Sequence, residues 1–361
     1  MASVRASLLA LGASRDAADL ALDALRPGTE SVYAVYWARW VAYAQEQGFD
    51  PCHPRSANFA NFLAHLSVHQ RLSVSSLRGY RSAISTTLKQ LGGAVRRSGS
   101  RSALVADVIR GGALREARCP RRLPRWDLFV VLEHLRSRAF EPLQGLPLRL
   151  LSFKTAFLLF LALGRRGSEV HAISGLEQDV FREPDGSYTL RFLPDFLAKN
   201  QQAGEQGPLL KVPSLCRILA PDDEDRFLCP CRSLSVYLAR TRNRRRRGTC
   251  RRLFLSLNPA YKKDLTKTTL AQWLKALVRL AYLAAGLAVG GTQTHEVRAW
   301  SASLAFTHSV SVSQIREAAF WKGENTFSSF YLRDVSRLAE DGSRGISSLA
   351  VSQTTVSARR L

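Results

Sequence analysis

Residues 148–170 read LRLLSFKTAFLLFLALGRRGSEV and join a long apolar segment to a pair of arginines. Leucine, phenylalanine and alanine dominate Leu148–Leu163, and this composition over sixteen residues predicts a buried helix. Arg165 and Arg166 follow it after Gly164. Guanidinium groups buried at the end of such a helix cost free energy unless an anion meets them. The stretch therefore predicts a buried helix with an anion-binding position at its end.

A second helical region lies on the N-terminal side, over about residues 16–114. Apolar and aromatic residues recur at three- and four-residue spacing from Val32 to Tyr43, and Gly48 is placed to end that helix. The same periodicity returns over Ser75–Leu91, whose polar side carries cations, hydroxyl groups and one tyrosine. We therefore expect a bundle of helices in this part of the chain.

A basic segment separates the two helical regions. Residues 115–126 read REARCPRRLPRW, with five arginines, two prolines and no apolar period, which is typical of a linker. The predicted organisation is a flexible tail at 1–15, a helical domain at 16–114, the linker at 115–126, a second domain at 127–338 and a C-terminal tail at 339–361.

The second domain combines helices with a small sheet. Helical patterns cover most of it, whereas Tyr188–Leu193 and Pro208–Pro213 resemble two strands joined by a polar, glycine-containing turn. The arginine run at 242–247 is too charged to pack, so we predict an exposed loop there. The predicted fold class is mainly α with a small β-sheet, that is, α+β.

The chain is strongly basic. Its 361 residues include 52 Lys and Arg against 29 Asp and Glu, a formal net charge of +23, and 43 of the cations are arginine. Such a charge predicts a polyanionic partner, either nucleic acid or an anionic membrane. The apolar stretches are shorter than the ~20 residues of a membrane span, which favours nucleic acid and no membrane. The six cysteines fit neither a disulfide framework nor a zinc motif, so no metal is expected.

Phosphodiester chemistry without a metal needs fixed cations, a proton donor for the leaving oxygen and a side-chain nucleophile. The sequence has no P-loop, no HExxH motif and no carboxylate cluster with metal-binding spacing. The groups that metal-free chemistry needs follow one another along the chain: Arg166 with Glu169, then Lys199, His295 with Arg298, Trp321 and Tyr331.

In this ordered set the chain resembles the tyrosine recombinases, the phage-integrase superfamily, over roughly residues 30–335. The shared pattern is Arg-x-x-Glu, a lysine in a β-hairpin turn, His-x-x-Arg, and a tryptophan or histidine before the tyrosine. The local sequences RRGSEVHAIS, LCPCRSLSVYLART and WKGENTFSSFYLRDV are most similar to those of the DIRS-like and Ngaro-like retrotransposon recombinases of eukaryotes. Ala299 departs from the pattern, because it replaces the last histidine of HxLRH. Two assignments have a rival residue: Arg165 is adjacent to Arg166, although the spacing to Glu169 favours Arg166, and Lys211 on the second strand rivals Lys199.

The resemblance implies a site-specific DNA recombinase that needs neither metal nor cofactor. It implies that Arg166 and Arg298 clamp the scissile phosphate and that Tyr331 attacks it to form a 3′-phosphotyrosyl bond. The implied supporting roles are proton relay by His295, protonation of the 5′-oxygen by Lys199, an indole N–H donated by Trp321, and support of Arg166 by Glu169.

The resemblance also implies how the protein meets DNA. A core-binding domain at 16–114 and a catalytic domain at 127–338 are expected to form a C-shaped clamp on double-stranded DNA. Protomers are expected to assemble into dimers and tetramers, with the tail at 339–361 as an exchange segment, in the nucleus of a eukaryote. The basic and hydroxyl-bearing side chains predicted to bind DNA are Arg78, Tyr80, Arg81, Lys89, Arg121, Arg122, Arg125, Arg244 and Arg245.

Other functions use the same residues. A type IB topoisomerase shares this catalytic set but relaxes supercoils as a monomer. A catalytically silent DNA-binding protein on the same fold is the alternative from another class. An RNA-binding protein is disfavoured, because no RRM-like aromatic pattern is present. The sequence leaves open the DNA target and whether the tyrosine attacks in cis or in trans.

Overall fold

The structure is a computed structural model. It describes residues 12–24, 27–91, 102–115, 125–199, 207–246, 250–258, 263–307 and 309–321, together with 4, 5, 8, 9, 201, 204, 205, 327, 331 and 332. The chain divides into two compact units, Met1–Pro120 and Arg121–Leu361, and the division falls within the basic segment 115–126. The predicted tail at 339–361 lies outside the described residues, as do Arg121 and Arg122.

The first unit is built from helices. They are α1 (Arg15–Asp23), α2 (Pro27–Glu46), α3 (Ser56–Val68), α4 (Val74–Gln90) and α5 (Ala103–Arg115). Helix α2 packs against α4, and α3 packs against α5. Gly48 takes a positive φ of 67° just after α2 ends, as its place in the sequence predicted.

Aromatic rings fill the core of the first unit. Trp40 is fully buried, and its ring centroid lies 5.2–5.6 Å from those of Phe49, Phe59 and Phe62. Its indole nitrogen donates a hydrogen bond to the carbonyl of Pro51 at 3.0 Å. The apolar spacing of α2 thus positions an aromatic core, since buried rings supply large apolar areas.

Tyr80 belongs to this core, and its predicted contact with DNA is wrong. Only 1% of the residue is exposed, and its ring stacks on Tyr36 at a centroid distance of 3.9 Å. Its hydroxyl accepts a hydrogen bond from Arg39 at 2.7 Å. The sequence pattern placed this ring on the polar face because a tyrosine carries both an apolar body and a polar tip. Among the other α4 candidates, Arg78 and Lys89 are exposed and Arg81 is half-buried.

The second unit surrounds one apolar helix. Its helices are α6 (Leu128–Arg136), α7 (Leu148–Leu163), α8 (Gly167–His171), α9 (Leu215–Ile218), α10 (Pro230–Arg246), α11 (Lys267–Ala284), α12 (His295–Thr307) and α13 (Val312–Ala318). Helix α7 packs against α10, α11 and α12, and every residue from Leu151 to Leu163 is buried. Gly164 ends α7 in the left-handed conformation, with a φ of 56°. The predicted buried helix is therefore confirmed.

A small antiparallel sheet completes the second unit. Strands β1 (Val180–Arg182), β2 (Tyr188–Leu190) and β3 (Leu210–Val212) pair in that order. The sequence predicted β2 and β3, whereas the three residues of β1 are too few to show a period of two. Helices and this sheet together confirm the predicted class, mainly α with a small β-sheet.

The arginine run at 242–247 is not the predicted loop, because α10 continues through it to Arg246. The guanidinium of Arg244 donates to the carbonyls of Ser256 and Asn258, at 2.8 and 3.1 Å. That of Arg245 donates to the carbonyls of Arg252 and Leu253. Nη2 of Arg244 and both terminal nitrogens of Arg245 thus bind carbonyls within the unit. Their role in DNA binding stays a prediction. Backbone carbonyls satisfy the cations that the sequence pattern assigned to solvent.

A buried ion cluster lies between α6, α7 and α10. Lys154 is fully buried, and its ammonium lies 2.6 Å from a carboxylate oxygen of Glu141 and 2.8 Å from the carbonyl of Leu135. Arg232 donates to both oxygens of the same carboxylate, at 2.7 and 2.6 Å. Glu141 thus binds the buried ammonium of Lys154 and the half-buried guanidinium of Arg232 beside the central helix.

Among the described residues, no helix combines the length and the apolar character that crossing a membrane requires.

Candidate active site

The site begins where α7 ends. The tight turn at Gly164 brings the chain close to α12, because a Cβ at this position would meet the Ser301 hydroxyl at 3.2 Å. Arg166 then precedes α8, and its guanidinium donates to Glu169 at 2.9 Å. Glu169 is 1% exposed, so its carboxylate is almost entirely withdrawn from water. The Arg-x-x-Glu spacing therefore pairs a half-buried guanidinium with a buried carboxylate across the first turn of α8.

Arg165 lies deeper than Arg166. It is 7% exposed, and its guanidinium carbon lies 5.3 Å from the centre of the Phe320 ring. The shortest distance to the Glu169 carboxylate is 4.0 Å. Two of its nitrogens, Nε and Nη1, are buried and have no hydrogen-bond partner. Burial lowers the pKa of Arg165, and the charge of Arg166 adds to this effect while Glu169 opposes it.

Arg298 projects from the first turns of α12 and is 2% exposed. Its Nη2 donates to the carbonyl of Ala319 at 2.5 Å, whereas its Nε and Nη1 have no partner. The guanidinium carbon lies 4.8 Å from the Trp321 ring centre and 4.9 Å from that of Tyr331. The rings and the carbonyl together fix the guanidinium plane and leave one edge of the group unused.

The charges around Arg298 act on its protonation. Burial lowers the pKa of the Arg298 guanidinium to about 10, and the positive charges of Arg166 and Arg165 act in the same direction. Tyr331 and Glu169 oppose this shift. At neutral pH the group remains cationic, so the site keeps a buried positive charge that no neighbouring carboxylate fully offsets.

Trp321 and Tyr331 form the other wall of the site. Their rings are stacked, with centroids 4.7 Å apart and planes 20° from parallel. The Trp321 indole nitrogen is buried without a partner. Ser303 on α12 donates to the backbone carbonyl of Tyr331 at 3.1 Å, which fixes the chain that carries the phenol. The tyrosine is thus held against the arginine and the indole that precede it in the sequence pattern.

Unused donors are concentrated at this place. Among the described residues, twelve buried side-chain nitrogen and oxygen atoms lack a partner, and five of them belong to Arg165, Arg298 and Trp321. Each such atom costs about 1–3 kcal/mol when it is left unpaired, and more when it is charged. An oxyanion that enters the site can accept these hydrogen bonds and recover much of that cost.

His295 and Lys199 are placed differently from the cluster. His295 is the first residue of α12, three residues before Arg298, and its side chain is 55% exposed with Nε2 3.8 Å from the Glu296 carboxylate. Lys199 is exposed in the connection between β2 and β3, and Lys211 is exposed on β3 opposite Thr189. The structure brings together Arg166, Glu169, Arg298, Trp321 and Tyr331, and shows no contact of Lys199 with them.

Two residues of this site were absent from the sequence-based assignment. The spacing to Glu169 favours Arg166 over Arg165 in the sequence-based assignment, and Phe320, whose ring the Arg165 guanidinium contacts, is not part of it. The usable signal was the position of Arg165 at the end of an apolar helix, where a buried cation needs an anion. Of the remaining predicted DNA contacts, Arg125 is exposed before α6.

No family model matches this sequence, and no curated protein does. Several solved structures are similar to this protein over most of its length. The XerA recombinase shares 14% identity at a TM-score of 0.41, over 88% of this chain and 92% of that chain. A lambda integrase(75-356) dimer bound to a COC′ core site shares 16% identity at a TM-score of 0.49, over 87% and 91%. The XerH site-specific recombinase bound to difH substrate shares 16% identity at a TM-score of 0.49, over 80% of this chain and 70% of that chain. At these identities and TM-scores, the functional argument depends on the site residues themselves.

Proposed function

We propose that the protein is a DNA strand transferase of the tyrosine-recombinase type, which cleaves and rejoins DNA through a 3′-phosphotyrosyl bond. The observation that supports it is the set of buried, unpartnered nitrogens of Arg298 and Trp321 directly beside the Tyr331 ring. A phosphodiester oxygen is an acceptor suited to these donors, and the phenol next to them is a nucleophile.

The reaction proceeds by in-line displacement at phosphorus. The Tyr331 oxygen forms a bond to phosphorus while the bond to the 5′-oxygen of the next nucleotide breaks. His295 accepts the phenol proton, and Lys199 gives a proton to the departing 5′-oxygen, so that a 5′-hydroxyl is released. Arg166 and Arg298 bind the non-bridging oxygens, whose negative charge rises from one to two in the pentacoordinate state. Trp321 donates its indole N–H to the same phosphate.

Rejoining follows the same path in reverse. A 5′-hydroxyl, from the same strand or another, attacks the phosphotyrosyl bond and releases the Tyr331 phenol. The phosphodiester bond energy is conserved in the protein–DNA bond, so the cycle needs no ATP. The catalytic groups named above are all amino-acid side chains, and the proposal needs no metal or cofactor.

Double-stranded DNA is the proposed partner. The formal net charge of +23 favours binding to the phosphate backbone, where released counterions supply the free energy. Exposed cations of the first unit, Arg78 and Lys89, together with Arg125 in the second unit, are proposed backbone contacts.

The finer assignment concerns the biological setting. We infer site-specific recombination for the integration of a mobile element of the DIRS-like or Ngaro-like kind, by a tetramer on DNA in the nucleus. The amino-acid sequences of the motifs around Arg166, Cys229 and Tyr331 support this assignment. A nuclease-protection footprint on the terminal repeats of the element that encodes the chain tests it, and protection of unrelated DNA to the same extent contradicts it.

A suicide substrate tests the proposed chemistry. The DNA carries a nick close to the cleavage site, so the short 5′-hydroxyl fragment diffuses away and the covalent intermediate accumulates. The expected result in EDTA is a protein–DNA adduct that is stable in denaturant and is lost in Tyr331→Phe. DNA binding without an adduct indicates a silent DNA-binding protein instead. Relaxation of a plasmid without strand exchange between two sites indicates a topoisomerase.

A further inference from the structure

The arginine next to Arg166 has donors that no group of the described chain uses. Arg165 is 93% withdrawn from solvent, since its exposure is 7%, and its Nε and Nη1 have no hydrogen-bond partner. Arg166, by contrast, donates to Glu169 at 2.9 Å and its side chain is 23% exposed. Of the two adjacent arginines, Arg165 is therefore the one with buried donors available to a ligand.

The contact with the Phe320 ring leaves those donors usable. The Arg165 guanidinium carbon lies 5.3 Å from the ring centre, so the ring contacts the group while its N–H bonds radiate from the edge of the guanidinium plane. Arg298 is held in the same way, against the rings of Trp321 and Tyr331, and it also leaves two nitrogens unpaired. Phe320 and Trp321 are consecutive, so one short segment orients both guanidinium groups.

The charge balance of the cluster favours an anion. Arg165, Arg166 and Glu169 all act electrostatically on Arg298, so three cations and one carboxylate share the site. Glu169 lies closer to Arg166, at 2.9 Å, than to Arg165, at 4.0 Å. These four groups carry a net charge of +2. A phosphodiester brings one negative charge in its ground state and two in its pentacoordinate transition state, which matches this excess.

We infer that Arg165 binds a non-bridging oxygen of the scissile phosphate directly, as a third guanidinium beside Arg166 and Arg298. The inference rests on the proposed function and extends it to a residue outside the family pattern. In this role Arg165 is a catalytic residue, and its contact with Phe320 sets the orientation of its donors.

A substrate with a methylphosphonate at the cleavage site tests the contact. Replacing one non-bridging oxygen by a methyl group removes the negative charge in both diastereomers, and in one of them it also removes the acceptor that Arg165 binds. The measured quantity is the cleavage rate of Arg165→Met relative to wild type, on the phosphate substrate and on each methylphosphonate diastereomer. The expected loss on phosphate is roughly 10²–10³-fold, as for other single oxyanion donors. One diastereomer should restore the ratio to near one.

A matched control separates this effect from loss of charge and stacking. Arg149 is exposed at the start of α7, and its guanidinium carbon lies 5.5 Å from the Phe153 ring. Arg149→Met therefore removes the same charge and the same kind of contact, and its cleavage rate should equal that of wild type. If Arg165→Met does not fold, Arg165→Lys is measured in the same way, with wild type again as the reference.

Two results overturn the inference. Equal relative rates on phosphate and on both methylphosphonates mean that Arg165 has only a structural role. Equal rescue by both diastereomers means that the positive charge of Arg165 acts on the phosphate at a distance and that Arg165 does not contact one particular oxygen. Failure of the proposed function is a separate outcome, because wild-type protein then forms no adduct on any substrate.

Discussion

Arg298 combines deep burial with a charge that its neighbours do not neutralise. Its pKa is lowered to about 10, chiefly by burial, so the folded protein holds this proton less tightly than the unfolded chain does. The sign follows directly: the charged group costs stability at every pH below about 10, and the cost is relieved as the pH rises from there towards the unfolded value. An anion bound at Nε and Nη1 offsets the same cost at neutral pH.

We therefore predict that Arg298→Met separates stability from activity. In anion-free buffer at neutral pH, the free energy of unfolding should rise by about 1 kcal/mol, because an apolar side chain of similar length replaces an uncompensated buried charge. Cleavage should be lost. Inorganic phosphate should raise the Tm of wild type more than that of the variant. Denaturant titration and thermal melts check this, and a variant less stable than wild type contradicts it.

Trp321 contributes both a ring and a donor, and two substitutions distinguish them. Trp321→Phe keeps an aromatic ring against Tyr331 but removes the indole N–H, which has no partner in the free protein. Trp321→His supplies an N–H in its place. We expect Trp321→Phe to cleave roughly 10²-fold more slowly than wild type, and Trp321→His to lose less of the cleavage rate. Equal rates for the two variants mean that only the ring matters.

The sequence predicted the site residues and their order along the chain, but not how deeply each side chain is buried. It could assign Arg298, Trp321 and Tyr331 because their types and spacing follow one pattern. It could not separate Arg165 from Arg166, because which side chain turns inward depends on Phe320, far along the chain. Nor could it show that Tyr80 stacks on Tyr36, because a helical tyrosine fits a buried and an exposed face equally well.

At the scale of elements, Glu141 joins α7 to α10 through Lys154 and Arg232. Burial alone would raise the pKa of Glu141, but hydrogen bonds from Arg232 and Lys154 hold it below its usual value. The carboxylate therefore contributes stability at neutral pH, and this contribution is lost as the pH falls from about 4.3 through the lower pKa of the folded state.

We predict a strong asymmetry between the partners of this cluster. Glu141→Gln should lower the free energy of unfolding by about 3–5 kcal/mol, because it leaves the buried ammonium of Lys154 and the half-buried guanidinium of Arg232 without their counterion. Lys154→Met is the matched control and should change it by about 1 kcal/mol or less, because Glu141 keeps both hydrogen bonds from Arg232.

Urea titrations at neutral and acidic pH measure both variants. The stability of Glu141→Gln should also fall less than that of wild type on acidification. Equal effects of the two substitutions at neutral pH would show that the cluster is not organised around Glu141.

Among the elements, long apolar helices were the most predictable. Leu148–Leu163 has the bounds that its composition indicated, and Gly164 ends it in the left-handed conformation. Strand β1 was missed because three residues carry no usable alternation. The arginine run was assigned to a loop because its charge suggested solvent, whereas α10 continues through it and Arg244 and Arg245 bind carbonyls of residues 252–258. Contacts between distant segments decided these cases.

At the scale of the whole molecule, binding and cleavage should depend on different charges. We predict that Arg166→Ala and Arg298→Ala lower cleavage by orders of magnitude while leaving DNA affinity nearly unchanged, because most of the 52 Lys and Arg residues remain to bind the backbone. The dissociation constant should rise steeply with salt, roughly 10³-fold or more between about 50 and 200 mM. Fluorescence anisotropy with labelled duplex measures both. A flat salt response contradicts the electrostatic account of binding.

The most direct measurement of the central claim is the chemical identity of the residue joined to DNA. After the suicide-substrate reaction in EDTA, the adduct is digested with protease and nuclease, and mass spectrometry locates the nucleotide on the peptide. The account predicts a single attachment, from the 3′-phosphate to the Tyr331 phenol oxygen, and none in Tyr331→Phe. Attachment to another residue, or through a 5′-phosphate, contradicts it.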